Sequence, residues 1–368
     1  MNIVVIIPTY NERENIVLLL SQLEALKKNI KKHTITFLVV DDTSPDGTKE
    51  AVEVYGETHN DVLCITGKKE GLGKALLRGM TYAVETLAAD IIIQIDADLS
   101  HDPKKFPEFV KAMEEGADFA VGSRYIKGGS IPENWGIHRK IYSILGNAIV
   151  RFGLGYLSIH DWTGGYRAYR KRFYEELKGE MEPYNGYVFQ IAFLHKAVKR
   201  NARVVEIPFH FTDRLYGHSK IAPIKYIANI FEYIIRARIE DILFGPFGKF
   251  VVVGTIGFII NTVILVGLVK AGVVPWLGSA LGAELAIISN FILNNAWTFH
   301  ERKITGMKRI GKFLQFNLTS CGAIIIQSGT VWLGTKAFGN SWYFPFYILG
   351  VGIGLIWNYT MYSKVIWR

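Results

Sequence analysis

Residues 91–101 read IIIQIDADLSH and join an apolar run to two carboxylates one residue apart, Asp96 and Asp98. The apolar run predicts a buried parallel strand. Side chains at the C-terminal end of such a strand face the crevice in which open α/β sheets bind ligands. Hard divalent cations are held by one or two carboxylates together with substrate phosphates. The stretch therefore predicts a metal-assisted phosphate site. The alternative is a solvated acidic loop, and the neighbouring motifs argue against that alternative.

The sequence around this stretch alternates strand and helix patterns, which predicts a doubly wound, mostly parallel α/β sheet. Strands are predicted at 3–8, 36–40, 62–65, 91–95 and 119–122, and helices at 14–27, 48–55, 73–85 and 103–115. Polar motifs stand at the loop ends: PTYNE at 8–12, DDTSPDGT at 41–48 and GLGK at 71–74. No GxGxxG motif follows the first strand, which excludes a dinucleotide-binding Rossmann domain.

The apolar excess of this chain of 368 residues and net charge +9 lies after about residue 245. Four segments there are nearly free of charge and reach the roughly 20 residues that cross a bilayer: 250–269, 273–297, 313–333 and 344–362. The sequence thus predicts a head at 1–222, an amphipathic interfacial linker at 223–245 and a four-span membrane domain at 246–368. The loop at 300–312 is rich in Lys and Arg, so the positive-inside rule predicts a multi-pass cell-membrane protein with head and C-terminus in the cytoplasm.

Two segments predict amphipathic helices that lie in the membrane interface. The first, at 139–152, places apolar residues on one face between flanking basic residues, and the second, at 225–244, leads into the first span. A helix packed on the head is the alternative for the first segment.

Together the motifs resemble glycosyltransferase family two, which has the GT-A fold. Three later motifs resemble its polyprenyl-phosphate branch: GSRY at 122–125, DWTGGYR at 161–167 and RLYGHSK at 214–220. The four spans are similar to the GtrA-like membrane domain. The resemblance implies metal-dependent transfer of mannose, with inversion, from GDP-mannose to dolichyl phosphate on the cytoplasmic membrane face. It implies no nucleic-acid partner and leaves the oligomeric state open.

The resemblance also implies site residues. The residues implied to form the nucleotide-sugar pocket are Pro8, Tyr10, Glu12, Val39, Asp41, Asp42, Asp96, Ala97, Asp98 and Lys220. Mg²⁺ or Mn²⁺ is expected on Asp96, Asp98 and Ser100, where it would neutralise the leaving diphosphate. The residues expected at the acceptor phosphate are Arg124, Arg139, Ser143 and Arg214, because the arginine fork suits phosphate. Asp96, Asp98 and Arg124 are the predicted catalytic residues, and Asp161 is a candidate to bind a sugar hydroxyl.

Three other functions are open at this stage. Glucose transfer from UDP-glucose is the nearest, because motifs do not determine base and sugar preference. A transporter of lipid-linked sugars with a regulatory head belongs to a different class, and the complete nucleotide motifs argue against it. A processive polysaccharide synthase would carry a Gln-x-x-Arg-Trp motif after the core, which this sequence lacks.

Overall fold

The computed structural model describes residues 1–213 and 223–368. Arg214 and Lys220, two of the predicted site residues, therefore lie outside the described residues. The chain divides into two units, Met1–Arg236 and Ala237–Arg368.

The first unit is built on a seven-stranded sheet in the order β3-β2-β1-β4-β6-β5-β7. Its strands are β1 (Asn2–Thr9), β2 (Thr34–Asp41), β3 (Val62–Thr66), β4 (Ile91–Gln94), β5 (Phe119–Ser123), β6 (Arg167–Arg170) and β7 (Val204–Pro208). All pairings are parallel except those of β6, which runs antiparallel to β4 and β5. The predicted mostly parallel GT-A sheet is confirmed, with each of the five predicted strands in place.

The sheet is central because β1 and β4 are runs of Ile and Val that can be buried on both faces. The helices of the first unit are α1 (Arg13–Lys27), α2 (Thr48–Gly56), α3 (Leu72–Thr81), α4 (Phe106–Glu114), α5 (Ile137–Leu154), α6 (Lys171–Met181), α7 (Gly186–Lys199) and the first part of α8 (Pro223–Phe244). The main core packs α1 and α4 against the sheet through residues such as Leu19, Phe37 and Phe109.

Two predicted helices differ from the observed ones in local geometry. The segment at 73–85 is α-helical only to Thr81 and continues as a π-helical turn, Tyr82–Thr86. The segment at 103–115 begins with a 3₁₀ turn, Pro103–Lys105, that Asp102 caps through the Lys104 N–H. These changes at helix ends leave the strand-end loops, and hence the candidate site, unaffected.

Helix α5 presents an apolar face to solvent. Ile141, Ile144, Leu145 and Phe152 are each at least half exposed, while Asn147 and Val150 on the other side are buried. Helix α8 shows the same division, with Phe231 and Ile235 exposed and Ile230 and Tyr233 buried. Both predicted amphipathic segments are therefore helical with an unburied apolar face.

The second unit is helical and contains the last part of α8 together with α9 (Pro246–Lys270), α10 (Pro275–Leu293), α11 (Lys308–Phe338) and α12 (Tyr343–Met361). The predicted spans fall in these four helices, although the second ends as a π-helical turn, Asn294–Thr298. Among the described residues, one helical segment, Ile227–Lys270, which includes the junction of α8 and α9 at Gly245, meets the length and hydropathy of a membrane-crossing helix. An aromatic cluster that includes Phe291, Phe316 and Trp367 forms the core of this unit.

Candidate active site

The loops that follow β1, β2 and β4 lie side by side because these three strands are neighbours in the sheet. Each loop contains a non-glycine residue with positive φ: Asn11 at 61°, Thr43 at 56° and Leu99 at 59°. This region of backbone space is unusual for branched side chains such as Thr and Leu. Strained backbone of this kind clusters at functional sites and persists only where the surrounding structure holds it. The strain therefore points to the same sheet edge as the sequence motifs.

Asp41 joins the first two loops. Its carboxylate accepts hydrogen bonds from Thr9 Oγ1 at 3.0 Å and from the Ser44 N–H at 2.7 Å. The Ser44 hydroxyl in turn accepts the Asn11 N–H at 2.9 Å. Asp41 and Ser44 thus connect the loops after β1 and β2 by hydrogen bonds, although the roles of Pro8, Glu12, Val39 and Asp41 in nucleotide binding stay predictions.

Two basic residues accompany the predicted nucleotide residues. Lys69 places its ammonium 3.4 Å from the centroid of the Tyr10 ring. Arg78 donates from Nη2 to Asp42 Oδ1 at 2.5 Å. Burial raises the pKa of the Asp42 carboxyl, and the hydrogen bond and charge of Arg78 oppose that rise without cancelling it. The edge of the sheet at β1 and β2 therefore carries both acidic and basic groups.

The loop after β4 opens into a cavity of about 360 Å³. Asp96, Asp98 and Ser100 line it, while Ala97, between the two aspartates, is buried. Asp98 Oδ1 accepts both the N–H and the hydroxyl of Ser100, at 3.1 and 2.6 Å. Thr212 holds the loop from the other side by donating its hydroxyl to the Leu99 carbonyl at 3.0 Å. The loop is therefore held by hydrogen bonds on both sides.

The donor set in this loop fits a hard divalent cation such as Mg²⁺ or Mn²⁺. Asp96 and Asp98 offer carboxylate oxygens to the same cavity. Gly165 leaves space beside them, because a Cβ there would lie 3.3 Å from both oxygens of Asp96. Within the described residues no group of three or more His, Cys, Asp or Glu side chains could hold a metal. A cation on the two aspartates would therefore need substrate phosphates and water to complete its coordination.

Arg124 forms a buried ion pair with Asp161. It donates from Nε to Asp161 Oδ2 at 2.7 Å and from Nη2 to Oδ1 at 2.8 Å. Burial by itself raises the pKa of the Asp161 carboxyl, but the charge and hydrogen bonds of Arg124 outweigh it and leave that pKa below its usual value. The pair connects β5 to the turn at 161–165 that forms one side of the cavity.

The pairing corrects the hypothesis that Asp161 binds a sugar hydroxyl. The carboxylate of Asp161 is fully buried and accepts five hydrogen bonds, from Arg124, Thr163 and Gly164. Because the two oxygens already accept these five hydrogen bonds, no lone pair of Asp161 is well placed for a ligand. Arg124 still lines the cavity, and its catalytic and phosphate-binding roles stay predictions.

The opposite side of the cavity is formed by α5 and the segment before it. Arg139 stacks over the Trp135 ring at 3.8 Å and donates from Nη1 to Asp213 Oδ1 at 3.1 Å. Trp135 Nε1 donates to the same oxygen at 2.7 Å. Ser143, one turn further along α5, shares a 2.6 Å hydrogen bond with the Tyr125 hydroxyl. The Asp213 carboxylate thus lies among the side chains that are predicted to donate hydrogen bonds to an acceptor phosphate.

We call these two sides the carboxylate wall (residues 96–101, 124 and 161–165) and the helix wall (residues 135–143 and 213). The cavity brings together six predicted site residues: Asp96, Asp98, Ser100, Arg124, Arg139 and Ser143. Trp135, Asp213 and Tyr187 line it too and were missed by the sequence reasoning. Asp213 could have been identified from the sequence because it directly precedes the RLYGHSK motif. Trp135 and Tyr187 belong to no motif.

Two families match this chain in succession. Residues 4–178 match glycosyl transferase family 2, and residues 249–367 match the GtrA/DPMS transmembrane domain. The chain is 30% identical over 368 residues to a dolichol-phosphate mannosyltransferase of Pyrococcus furiosus, covering 100% of this chain and 99% of that protein. It is 36% identical over 241 residues to a polyprenol monophosphomannose synthase of Mycolicibacterium smegmatis, covering 64% of this chain and 88% of that protein.

Similar solved structures include glucosyl-3-phosphoglycerate synthase from Mycobacterium tuberculosis. A complex of that protein with Mn²⁺, UDP and glucosyl-3-phosphoglycerate has a TM-score of 0.45 and 16% sequence identity, covering 65% of this chain and 79% of that chain. The full-length relative and the two successive matches place the chain firmly: it is a membrane protein and an enzyme that belongs to glycosyltransferase family 2, with a C-terminal GtrA-like domain.

Proposed function

We propose that this enzyme transfers mannose from GDP-mannose to dolichyl phosphate, with inversion, at the cytoplasmic surface of the cell membrane. The observation that carries the proposal is the shared cavity: Asp96 and Asp98 line it on one wall, and Arg139 and Ser143 line it on the other. The similarity to a dolichol-phosphate mannosyltransferase and a polyprenol monophosphomannose synthase supports the choice of sugar and acceptor class. The three-part division at 1–222, 223–245 and 246–368 is part of the same proposal.

In this proposal the donor lies along the loops after β1, β2 and β4. Tyr10 stacks on the base, and Glu12, Asp41 and Asp42 accept hydrogen bonds from base and ribose. Pro8, Val39 and Ala97 shape the pocket, and Lys220 contacts the diphosphate. When bound, a divalent cation held by Asp96 and Asp98, with Ser100 beside them, supplies positive charge to the departing diphosphate.

The acceptor phosphate lies against the helix wall. Arg139 donates a charge-assisted fork, and Ser143, Arg124 and Arg214 add further donors. A phosphate monoester is largely dianionic at neutral pH, since its second pKa is about 6. It can therefore attack the anomeric carbon without a general base, and direct attack opposite the leaving diphosphate inverts the configuration. The role of the protein is to hold two anions in line, which is a positioning and electrostatic task.

The apolar face of α5 supports delivery of the acceptor from a lipid surface. Arg139 and Ser143 lie on the same helix as the exposed Ile141, Ile144 and Leu145. An amphipathic helix with basic flanks lies in the interface plane with its apolar face among the acyl chains. A prenyl phosphate whose chain stays in the bilayer could then present its headgroup to the cavity. We propose four membrane spans, with the basic loop at 300–312 on the same cytoplasmic side as the head.

The test is a donor and acceptor panel on the purified full chain. GDP-mannose, GDP-glucose, UDP-glucose and UDP-mannose, radiolabelled in the sugar, are each incubated with dolichyl phosphate and Mg²⁺ or Mn²⁺. We expect a mannosyl lipid from GDP-mannose and a signal at least tenfold lower from UDP-glucose. Preferred transfer from UDP-glucose would replace the mannose assignment. Absence of transfer from every donor, together with movement of a preformed glycolipid across vesicles, would support the transporter with a regulatory head.

A further inference from the structure

His101 is a buried ring in the carboxylate wall to which the proposed chemistry gives no task. The side chain is only 2% exposed. Tyr166 stacks on it at 5.3 Å, and the edges of Phe209 and Phe211 enclose it at 5.6 and 6.0 Å. Aromatic groups on three sides restrict the plane of this ring.

The hydrogen bonding of this ring determines which nitrogen carries the proton. The Asp96 backbone N–H points at His101 Nδ1 across 3.2 Å. A backbone N–H can only donate, so Nδ1 accepts and the neutral ring carries its hydrogen on Nε2. Nε2 faces Asp96 Oδ2 at 3.8 Å. The ring therefore hydrogen-bonds the backbone of Asp96 through Nδ1, and its Nε2–H lies within electrostatic range of the same residue's carboxylate, beyond hydrogen-bond distance.

We propose that His101 is a positioning residue that orients Asp96 for a divalent cation. Its Nδ1 holds the backbone of Asp96 where β4 ends, and its Nε2–H directs the carboxylate toward the cavity. Neighbours that hold a ligating side chain in this way set its orientation and basicity, and their loss costs about 10- to 100-fold in metal affinity or activity. This arrangement makes His101 unsuitable as a general base, because Nδ1 accepts a backbone N–H and Nε2 carries the hydrogen of the ring.

Gly165 lies beside both the Asp96 carboxylate and the His101 ring. A Cβ at that position would lie 3.3 Å from both Asp96 oxygens and 3.4 Å from His101 Cε1. The absence of a side chain at Gly165 therefore leaves room for the carboxylate and the imidazole to lie next to each other. This inference rests on the metal site of the proposed function and adds the residue that aims one of its ligands.

The experiment measures Mn²⁺ binding to the full chain by electron paramagnetic resonance in the presence of GDP, alongside mannosyl transfer and thermal unfolding. His101→Ala removes both contacts and is expected to weaken Mn²⁺ binding at least tenfold. His101→Asn retains an acceptor near the position of Nδ1 and is expected to fall between His101→Ala and wild type. Higher Mn²⁺ should restore part of the transfer activity of both variants.

His195→Asn is the matched control. His195 is also buried at 2% exposed but bonds to the Tyr233 hydroxyl at 2.8 Å, away from the carboxylates. We expect it to lower the unfolding temperature without changing Mn²⁺ affinity. Unchanged Mn²⁺ affinity in His101→Asn and His101→Ala would overturn the inference, whatever their transfer rates. If the wild type itself fails to bind Mn²⁺ with GDP, the metal site of the proposed function fails instead.

Discussion

The two walls of the cavity hold their arginines differently. On the carboxylate wall Arg124 is almost buried and makes a two-point bond to Asp161, whose own exposure is zero. On the helix wall Arg139 keeps 42% of its side-chain surface exposed and makes a single bond to Asp213. A guanidinium bonded at two points to a buried carboxylate stabilises the fold as well as lining the cavity, whereas one with a single exposed partner can exchange that partner for a ligand. The comparison predicts a stability effect from breaking the Arg124–Asp161 pair and a substrate effect from removing Arg139.

The largest expected effect comes from breaking the buried pair. Asp161→Asn leaves the Arg124 charge buried without its counter-ion, which typically costs about 3–5 kcal/mol. At roughly 2–4 °C per kcal/mol for a domain of this size, the apparent unfolding temperature of the full chain should fall by about 10 °C. Glu53→Gln is the control, because its pair with Lys49 is exposed on α2 and should change stability little. Equal shifts in the two variants would contradict the comparison.

Next in size is the loss of a carboxylate from the cavity. Asp98→Asn keeps an oxygen to accept the Ser100 bonds but removes the negative charge. Loss of one electrostatic element of this kind costs about 100-fold or more in rate. We expect turnover with GDP-mannose to fall by at least that factor while the unfolding temperature stays within a few degrees of wild type. Near-normal turnover, or full activity of the wild type in chelator, would remove Asp98 from the mechanism.

Arg139→Ala tests the helix wall and should have a smaller effect. A charge-assisted hydrogen bond is worth about 1.5–3 kcal/mol, and the partial exposure of Arg139 favours the lower end of that range. The dolichyl phosphate concentration needed for half-maximal transfer should therefore rise about tenfold. Affinity for GDP-mannose, measured by calorimetry, should stay close to wild type. Arg139→Lys should recover only part of the loss, because a point charge cannot reproduce the fork.

Lys140→Ala provides the control for that experiment. Lys140 is the next basic residue on α5, and its ammonium bonds to the Glu133 carbonyl at 2.7 Å. Its removal should leave acceptor dependence almost unchanged. If donor affinity falls in Arg139→Ala while acceptor dependence stays constant, Arg139 belongs to the donor side.

The smallest effect concerns pH. The folded pKa of Asp161 lies below its usual value of 3.8, so its contribution to stability is fully present above about that pH and is lost as the pH falls through the lowered folded pKa. The difference in unfolding temperature between wild type and Asp161→Asn should therefore be constant from pH 7 to 5 and shrink below pH 4. A difference that changes between pH 7 and 5 would indicate another titrating group.

Much of the fold could be predicted because it follows from the local pattern of apolar residues along the chain. The apolar runs of β1, β2 and β4 and the long uncharged segments reveal strands and helices without knowledge of their neighbours. Strand β6 was missed because Arg167–Arg170 contains two arginines among four residues. In the structure Arg167 is fully buried and donates to the carbonyls of Trp162, Gly164 and Gln190. A buried charge that bonds to the carbonyls of a preceding turn and of α7 has no recognisable sequence pattern.

The sequence by itself determined that two aspartates end a buried strand, that nucleotide-site motifs flank them and that uncharged helices follow. Only the tertiary structure decided how the charged side chains are used. Asp161 pairs with Arg124 rather than with a ligand, Asp213 contacts Arg139, and the ring of His101 turns toward Asp96. The physical reason is that an element's type depends on neighbouring residues, whereas the partner of a charge depends on packing between segments far apart in the chain. Residue types alone cannot distinguish an arginine held by the framework from one exposed to a substrate.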